Sequence, residues 1–291
     1  MATTLQRKGE TLRPDERDGL HYILDNMTFS FSNIQAFDTC PRMWQLKYLD
    51  CRIGESNIYA KFGTCCHHVI QDYVDGKVPK DDLRKRYDEE FAKCVDDCPP
   101  DFMNDKTYKF YENGVTYFEY EADTSVVDRV IKLYQPKYNR YEVFTEYYFE
   151  YIMPSNGRKF CGYIDLLIAF YDENGKVVDV LVVDHKSGKI SINKSGGISQ
   201  ANLEKYEQYK RQLHLYADFV KYEFGLYPRT MMLNFINDRR LLGIAFSEDD
   251  HDDVLLWINN TIESMYETES FEMTGPYFFC KKICEYRDGN C

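Results

Sequence analysis

Apolar residues repeat at helical spacing along the first half of the chain, and from Tyr141 onward they alternate. Residues 1–27 carry much charge and little periodicity, which predicts a loose lead-in with a short helix around Asp18–Asn26. Ser30-Phe31-Ser32-Asn33 has the form of a helix start, with Ile34, Ala36 and Phe37 on one side of the helix that follows. Pro41 ends that helix or opens the next, and Trp44, Leu46 and Tyr48 continue the apolar pattern. Further helices are predicted over Gly63–Tyr73, Leu83–Val95 and Asp105–Leu133. Then Glu142–Met153, Phe160–Tyr171 and Val177–Lys186 alternate as strands, separated by Asn156-Gly157 and Asn174-Gly175 turn pairs. A helix over Asn202–Glu223, strands over Thr230–Asn237 and Leu241–Phe246, and a helix over Asp249–Tyr266 complete the pattern. The fold class is therefore α+β or α/β, a strand-rich centre wrapped by helices.

Composition changes this picture little. The 291 residues, 44% hydrophobic, suffice for one large core or two modest ones. No apolar run approaches the roughly 20 residues of a membrane helix, and the N-terminus lacks a secretory apolar segment. We therefore expect no membrane partner and a cytoplasmic, intracellular location. The formal net charge of −12 excludes duplex binding by bulk positive charge, but not a local groove or cations held over clustered carboxylates.

The two turns carry the chemistry. If Asn174-Gly175 is a two-residue type I′ loop, Asp165 and Asp184 face each other across the hairpin. Like charges in that position destabilise by roughly 0.2–1 kcal/mol, and the apolar Ile164, Leu166, Val182 and Val183 around them raise the cost. A divalent cation such as Mg²⁺ or Mn²⁺ removes the conflict. Lys186, two residues on, emerges on the same face and could stabilise charge on a phosphate. The same reasoning at Asn156-Gly157 puts Tyr148 opposite Asp165 and Glu146 diagonally across, as a supporting carboxylate.

At these residues the chain resembles the PD-(D/E)XK nuclease superfamily, in Gly162-Tyr163-Ile164-Asp165-Leu166-Leu167 and Val183-Asp184-His185-Lys186-Ser187-Gly188. Gln212 with Tyr216, Gly63 with His67, and the Cys40-Pro41 segment resemble further motifs of its RecB-like branch, which includes AddB-type and CRISPR-adaptation exonucleases. The resemblance implies a restriction-endonuclease-like α/β fold: a mixed β-sheet core flanked by helices, a mainly helical N-terminal region and a Cys-rich C-terminal tail. Its divisions here would be a lead-in over 1–27, a helical region over 28–135, a nuclease core over 136–268 and the tail over 269–291. It implies that His67, Asp165, Asp184 and the backbone carbonyl of His185 bind Mg²⁺ or Mn²⁺ and that Lys186 is the catalytic lysine. Gln212 and Tyr216 would face the site and DNA, and positions four apart do share a helix face. Gln208 extends that stripe, with Lys210 and Arg211 able to touch the phosphate backbone at its edge. His68, about 100° around the helix from His67, is a bystander. The implied activity is hydrolysis of DNA at single-stranded ends or overhangs, leaving a 5′-phosphate and a 3′-hydroxyl, in partnership with a helicase or recombination protein.

Ten cysteines in a reducing compartment point away from disulfides. Cys40 with Cys280, Cys284 and Cys291 suits an iron–sulfur cluster or Zn²⁺, and the resemblance implies a 4Fe–4S cluster. The tail spacing is one residue longer in each gap than the branch's usual C-x2-C-x5-C. Cys94 and Cys98, one helical turn apart, offer with Cys65 and Cys66 a rival site. Cys65, Cys66, Cys51 and Cys161 otherwise read as small apolar residues packed against the core. Two alternatives to an enzyme remain at this point: an inactive nucleic-acid-binding scaffold of the same fold, and a zinc-stabilised interaction module.

Overall fold

The computed structural model describes residues 11–98, 107–193, 197–275 and 277–287. In chain order the elements are α1 (Pro14–Asn26), α2 (Phe31–Thr39), α3 (Pro41–Trp44), α4 (Ile58–Val74), α5 (Leu83–Asp96), α6 (Thr107–Asp123), α7 (Val126–Tyr134), β1 (Arg140–Ile152), β2 (Lys159–Tyr171), β3 (Val177–Lys186), α8 (Leu203–Phe224), β4 (Thr230–Phe235), β5 (Arg240–Ala245), α9 (Glu248–Glu267) and α10 (Tyr277–Lys282). The chain divides into two compact units. The first comprises Met1–Asn57, Glu150–Gly162 and Asp252–Cys291, and the second Ile58–Phe149 and Tyr163–His251.

In the first unit, Ser30 caps α2 by accepting a hydrogen bond from the Asn33 backbone N–H at 3.2 Å. Pro41 occupies the first position of α3, where its missing N–H costs nothing. Trp44, fully buried, packs edge-on to Phe37 and stacks with Phe271. Burying a large apolar side chain of this kind stabilises by roughly 1.5–3 kcal/mol. The tail folds back on this unit, where Tyr286 donates its hydroxyl proton to the Arg52 carbonyl at 2.9 Å.

In the second unit, a five-stranded sheet has the order β1-β2-β3-β4-β5. β2 and β3 run antiparallel, β3 and β4 run parallel with α8 as the crossover, and β4 and β5 form an antiparallel hairpin. The sheet is therefore mixed and flanked by helices, a restriction-endonuclease-like α/β architecture. Helices α4 to α7 bury Phe62, Cys66, Tyr87, Tyr117, Phe118 and Val130 in a core shared with Leu166, Ile168, Phe170, Leu181 and Val183. The predicted helix over Asp105–Leu133 is two helices: its start lies outside the described residues, and Ser125 caps α7 through the Asp128 N–H.

The β2–β3 register is the one the turn argument required, reached by a different route. Leu166 pairs with Val183, Leu167 with Val182 and Phe170 with Asp179, so one further step along the ladder sets Asp165 across from Asp184. The turn is not a two-residue type I′ loop. Asp172 pairs through its N–H with the Lys176 carbonyl, leaving Glu173, Asn174 and Gly175 in the loop, and only Gly175 is left-handed. The register then shifts between Phe170 and Tyr171, which restores the expected partners. At the other turn, Met153 N–H donates to the Arg158 carbonyl, enclosing four residues rather than two. Tyr148 consequently packs on Tyr163, ring centroids 5.1 Å apart, and is not the residue opposite Asp165.

The rival cysteine site does not assemble. Cys65, Cys66, Cys94 and Cys98 are buried members of the apolar core, and among the described residues no three of their sulfurs come together as a ligand group. Cys51 departs from the apolar reading. It is exposed and left-handed at φ 50°, just beyond the π-helical turn over Gln45–Leu49, and Cys161 is only half-buried.

Candidate active site

Asp184 lies at the C-terminal end of β3 with a side chain only 2% exposed, and Lys186 Nζ reaches its Oδ2 at 2.6 Å. No hydrogen-bond donor is aligned on that oxygen. The pairing is therefore one of charge against charge. Lys186 is also held by Gln212, whose Oε1 accepts from Nζ at 2.7 Å, while Gln212 Nε2 donates to the Tyr216 hydroxyl at 2.7 Å. Gln212 and Tyr216 are one turn apart on α8, as four-residue spacing requires. The Lys186 ammonium rests 4.6 Å from the centre of the Tyr209 ring.

Asp165 Oδ2 accepts the His185 backbone N–H at 2.6 Å. Burial raises its pKa to about 7, with the Asp184 charge pushing the same way, while the positive charges of His67 and Lys186 work against them. His67 reaches in from α4. Its Nε2 lies 3.0 Å from the His185 carbonyl oxygen, and its Nδ1 faces Asp165 Oδ1 at 3.6 Å and Glu146 Oε1 at 3.8 Å. Burial disfavours the charged ring, but Asp165, Glu146 and Asp184 outweigh it and hold its pKa up to about 9.

Two backbone features make this approach possible. Gly63 is one turn before His67, and a β-carbon there would lie 3.1 Å from Ser187 Oγ, so glycine lets α4 come against the segment following Lys186. Glu146 is left-handed at φ 45°, a conformation costing a non-glycine residue about 1–3 kcal/mol. That strain turns its carboxylate toward His67, making it a direct member of the site. His68 instead pairs with Glu90 at 2.9 Å, away from the carboxylates.

The ligand atoms of His67, Glu146 and Asp165 all lie within 4.8 Å of one another. These three offer two carboxylate oxygens and one imidazole nitrogen, a donor set that fits Mg²⁺ or Mn²⁺; Asp184, held by Lys186, stands outside that group, and the His185 carbonyl meets the other ring nitrogen of His67.

Support for His185 comes from residues the sequence did not single out. Its buried ring is held neutral, chiefly by burial. Asn234, its partner on β4, lies with Nδ2 3.2 Å from His185 Nδ1 and donates to the Tyr117 hydroxyl at 2.8 Å. Of the three expected substrate contacts on α8, Gln208 is one turn before Gln212, and Arg211 is half-buried. Lys210 is committed to Asp250 at 2.6 Å.

Cys40, Cys280 and Cys284 are all buried in the first unit. Cys40 and Cys280 pack together with Met273, Cys284 packs with Leu46 and Tyr286, and Met43 and Phe279 touch both groups. Cys291 lies outside the described residues.

The model of the PD-(D/E)XK nuclease superfamily matches residues 28–288. The chain belongs to that superfamily. No curated protein matches the sequence. Among solved structures, a protein described as a candidate exonuclease from Eubacterium rectale is similar at 12% identity and a TM-score of 0.48, covering 96% of this chain and 94% of that one. A protein named SSO0001 is similar at 16% identity and a TM-score of 0.35, covering 94% and 90% respectively. No described helix is long and apolar enough to cross a membrane.

Proposed function

We propose that the protein is a divalent-metal-dependent deoxyribonuclease of the RecB-like branch, an exonuclease working on single-stranded ends or overhangs. The observation that carries this reading is the buried Asp165–Asp184 pair with Lys186 and His67 converging on it. Two like charges, Asp184 buried and Asp165 nearly so, with one lysine against them, make a seat for a further cation. His67, Asp165, Asp184 and the His185 carbonyl would hold Mg²⁺ or Mn²⁺, with Glu146 beside them. The bound ion supplies Lewis acidity, making a water acidic enough to attack near neutral pH and offsetting phosphate charge.

The protein's own groups do the rest. Lys186, steered by Gln212, directs an ammonium at the place where phosphate charge grows. Tyr216 fixes Gln212. Neutral His185, anchored through Asn234, keeps its carbonyl aimed into the site. Buried Val182, two residues before Asp184 and on the same face of β3, excludes water from that side and strengthens these interactions.

Labelled single- and double-stranded DNA, incubated with Mg²⁺ or Mn²⁺, tests this. Loss of full-length substrate from single-stranded ends, abolished by Lys186→Ala and by chelation, is expected. Intact substrate with both metals, or equal cutting by the variant, sinks the reading.

To the same reading belong a 4Fe–4S cluster, or Zn²⁺ in its place, on Cys40, Cys280, Cys284 and Cys291, and a helicase or recombination partner whose basic surface meets the acidic chain. Cys40 packed with Cys280 supports the cluster, while Cys284 packs in a neighbouring group and the three sulfurs do not form one ligand set. Iron with acid-labile sulfide in the purified protein decides for it, and zinc alone decides for the alternative.

A further inference from the structure

A second lysine stands beside the first. Lys205, in the opening turn of α8, is half-buried, with its ammonium 5.6 Å from the centre of the Tyr209 ring. Lys186 sits over the same ring, so no more than about 10 Å separates the two ammonium groups. The fit is close. A β-carbon on Gly188 would come within 2.5 Å of Lys205 Nζ, so glycine at 188 leaves the space in which the ammonium rests.

The charge arrangement is one-sided. Lys186 has Asp184 at 2.6 Å, whereas among the described residues no carboxylate comes within ion-pair distance of Lys205. Asp238 is the acidic group that acts on it, and Asp238 is already engaged by Lys189 at 3.8 Å and by the Ile190 N–H at 3.2 Å. Burial and the neighbouring Lys186 both penalise the Lys205 charge. An ammonium kept in such a place, without its own counterion, is suited to receive an anion from outside.

We propose that Lys205 is a substrate-contacting residue that binds a backbone phosphate next to the one hydrolysed at Lys186, with Tyr209 as the shared wall between them. The upper limit of about 10 Å between the two ammonium groups accommodates neighbouring phosphates of a single strand. Residues 205, 209, 212 and 216 thereby form one continuous stripe of α8 running along the strand, a helical periodicity of four, three and four. The inference rests on the nuclease reading above.

The test compares Lys205→Met, Lys205→Arg and Gly188→Ala with wild type. One measurement is binding of a labelled single-stranded oligonucleotide in EDTA over a range of KCl concentrations. The other is steady-state cleavage with Mg²⁺. Lys205→Met is expected to reduce the steepness of log K against log[salt] by about 0.7, the loss of one phosphate contact on a single strand. It should raise KM about ten-fold with a smaller change in kcat. Lys205→Arg should retain the salt slope. Gly188→Ala keeps the charge but displaces it, and should raise KM with net charge unchanged and folding little affected. If wild type cuts while Lys205→Met matches it in slope and KM, this inference fails and the nuclease reading stands. If wild type neither binds nor cuts, the nuclease reading fails and the role of Lys205 falls with it.

Discussion

Two buried charge clusters in the second unit handle the same difficulty in opposite ways. Around Glu121 and Arg129 every charge is answered. Glu121 Oε2 accepts from Arg129 Nη2 at 2.8 Å and its Oε1 from the Val126 N–H at 2.6 Å. Arg129 also donates to the Thr124 carbonyl and to Tyr117, and lies 4.3 Å from the Tyr120 ring centre. Burial raises the pKa of Glu121 and of Asp165 alike, but at Asp165 and Asp184 two carboxylates share one Lys186 ammonium and the His67 ring, and no donor is aligned on Asp184 Oδ2. Burial is common to both, so burial does not distinguish a structural ion pair from a chemical site. The difference lies in whether the polar valences close within the protein.

The comparison breaks most visibly through activity. Asp165→Asn should lower DNA cleavage by about 10³-fold or more while leaving the thermal midpoint unchanged or raised, because it removes one of two buried like charges. A parallel loss of stability would show that the pair is structural. Glu121→Gln should do the reverse. Leaving Arg129 buried without its counterion costs about 3–5 kcal/mol, measured by denaturant unfolding, with cleavage per folded molecule within a few-fold of wild type. An intact midpoint would remove the contrast.

A pH series sharpens it. In chelator, the folded His67 ring keeps its proton up to about pH 9, whereas an unfolded histidine releases it near pH 6.5. The folded state therefore binds more protons across that window, and stability should fall as pH rises through it. His67→Gln should flatten the profile between pH 6.5 and 9; a slope that persists would place its source elsewhere. The smallest effect is expected from Tyr216→Phe, which takes away the acceptor for Gln212 Nε2. A cost of about 1 kcal/mol and a few-fold drop in kcat at unchanged KM are the measurements to make, and a change confined to KM would argue against a role in holding Lys186.

Much of this was legible before any fold. The strand β3 was read to its observed ends, and α8, β4, β5 and α9 within a residue or two, because their apolar periods are long and bounded by turn residues. Asp165 facing Asp184 was also legible, though the turn type behind the argument was wrong. A longer loop and a register shift between Phe170 and Tyr171 cancel one another, since the buried apolar faces of both strands tolerate only one register. The second turn had no such constraint over the exposed Tyr148 and Tyr163, and there the expected pairing failed.

Local spacing thus determined the strands, the helix bearing Gln212 and Tyr216, and the shared face of Asp184 and Lys186; the pairing of Asp165 with Asp184 came through a loop and a register shift that spacing does not show. Periodicity could also have found Tyr209 and Lys205, which lie on the same stripe of α8. What only the tertiary structure decided is how distant segments meet: His67 brought to the His185 carbonyl past Gly63, Glu146 turned inward by a left-handed backbone, and Asn234 with Tyr117 set behind His185. Those contacts join residues tens of positions apart. Sequence pattern reports the face on which a side chain lies, and only packing reports what that face meets.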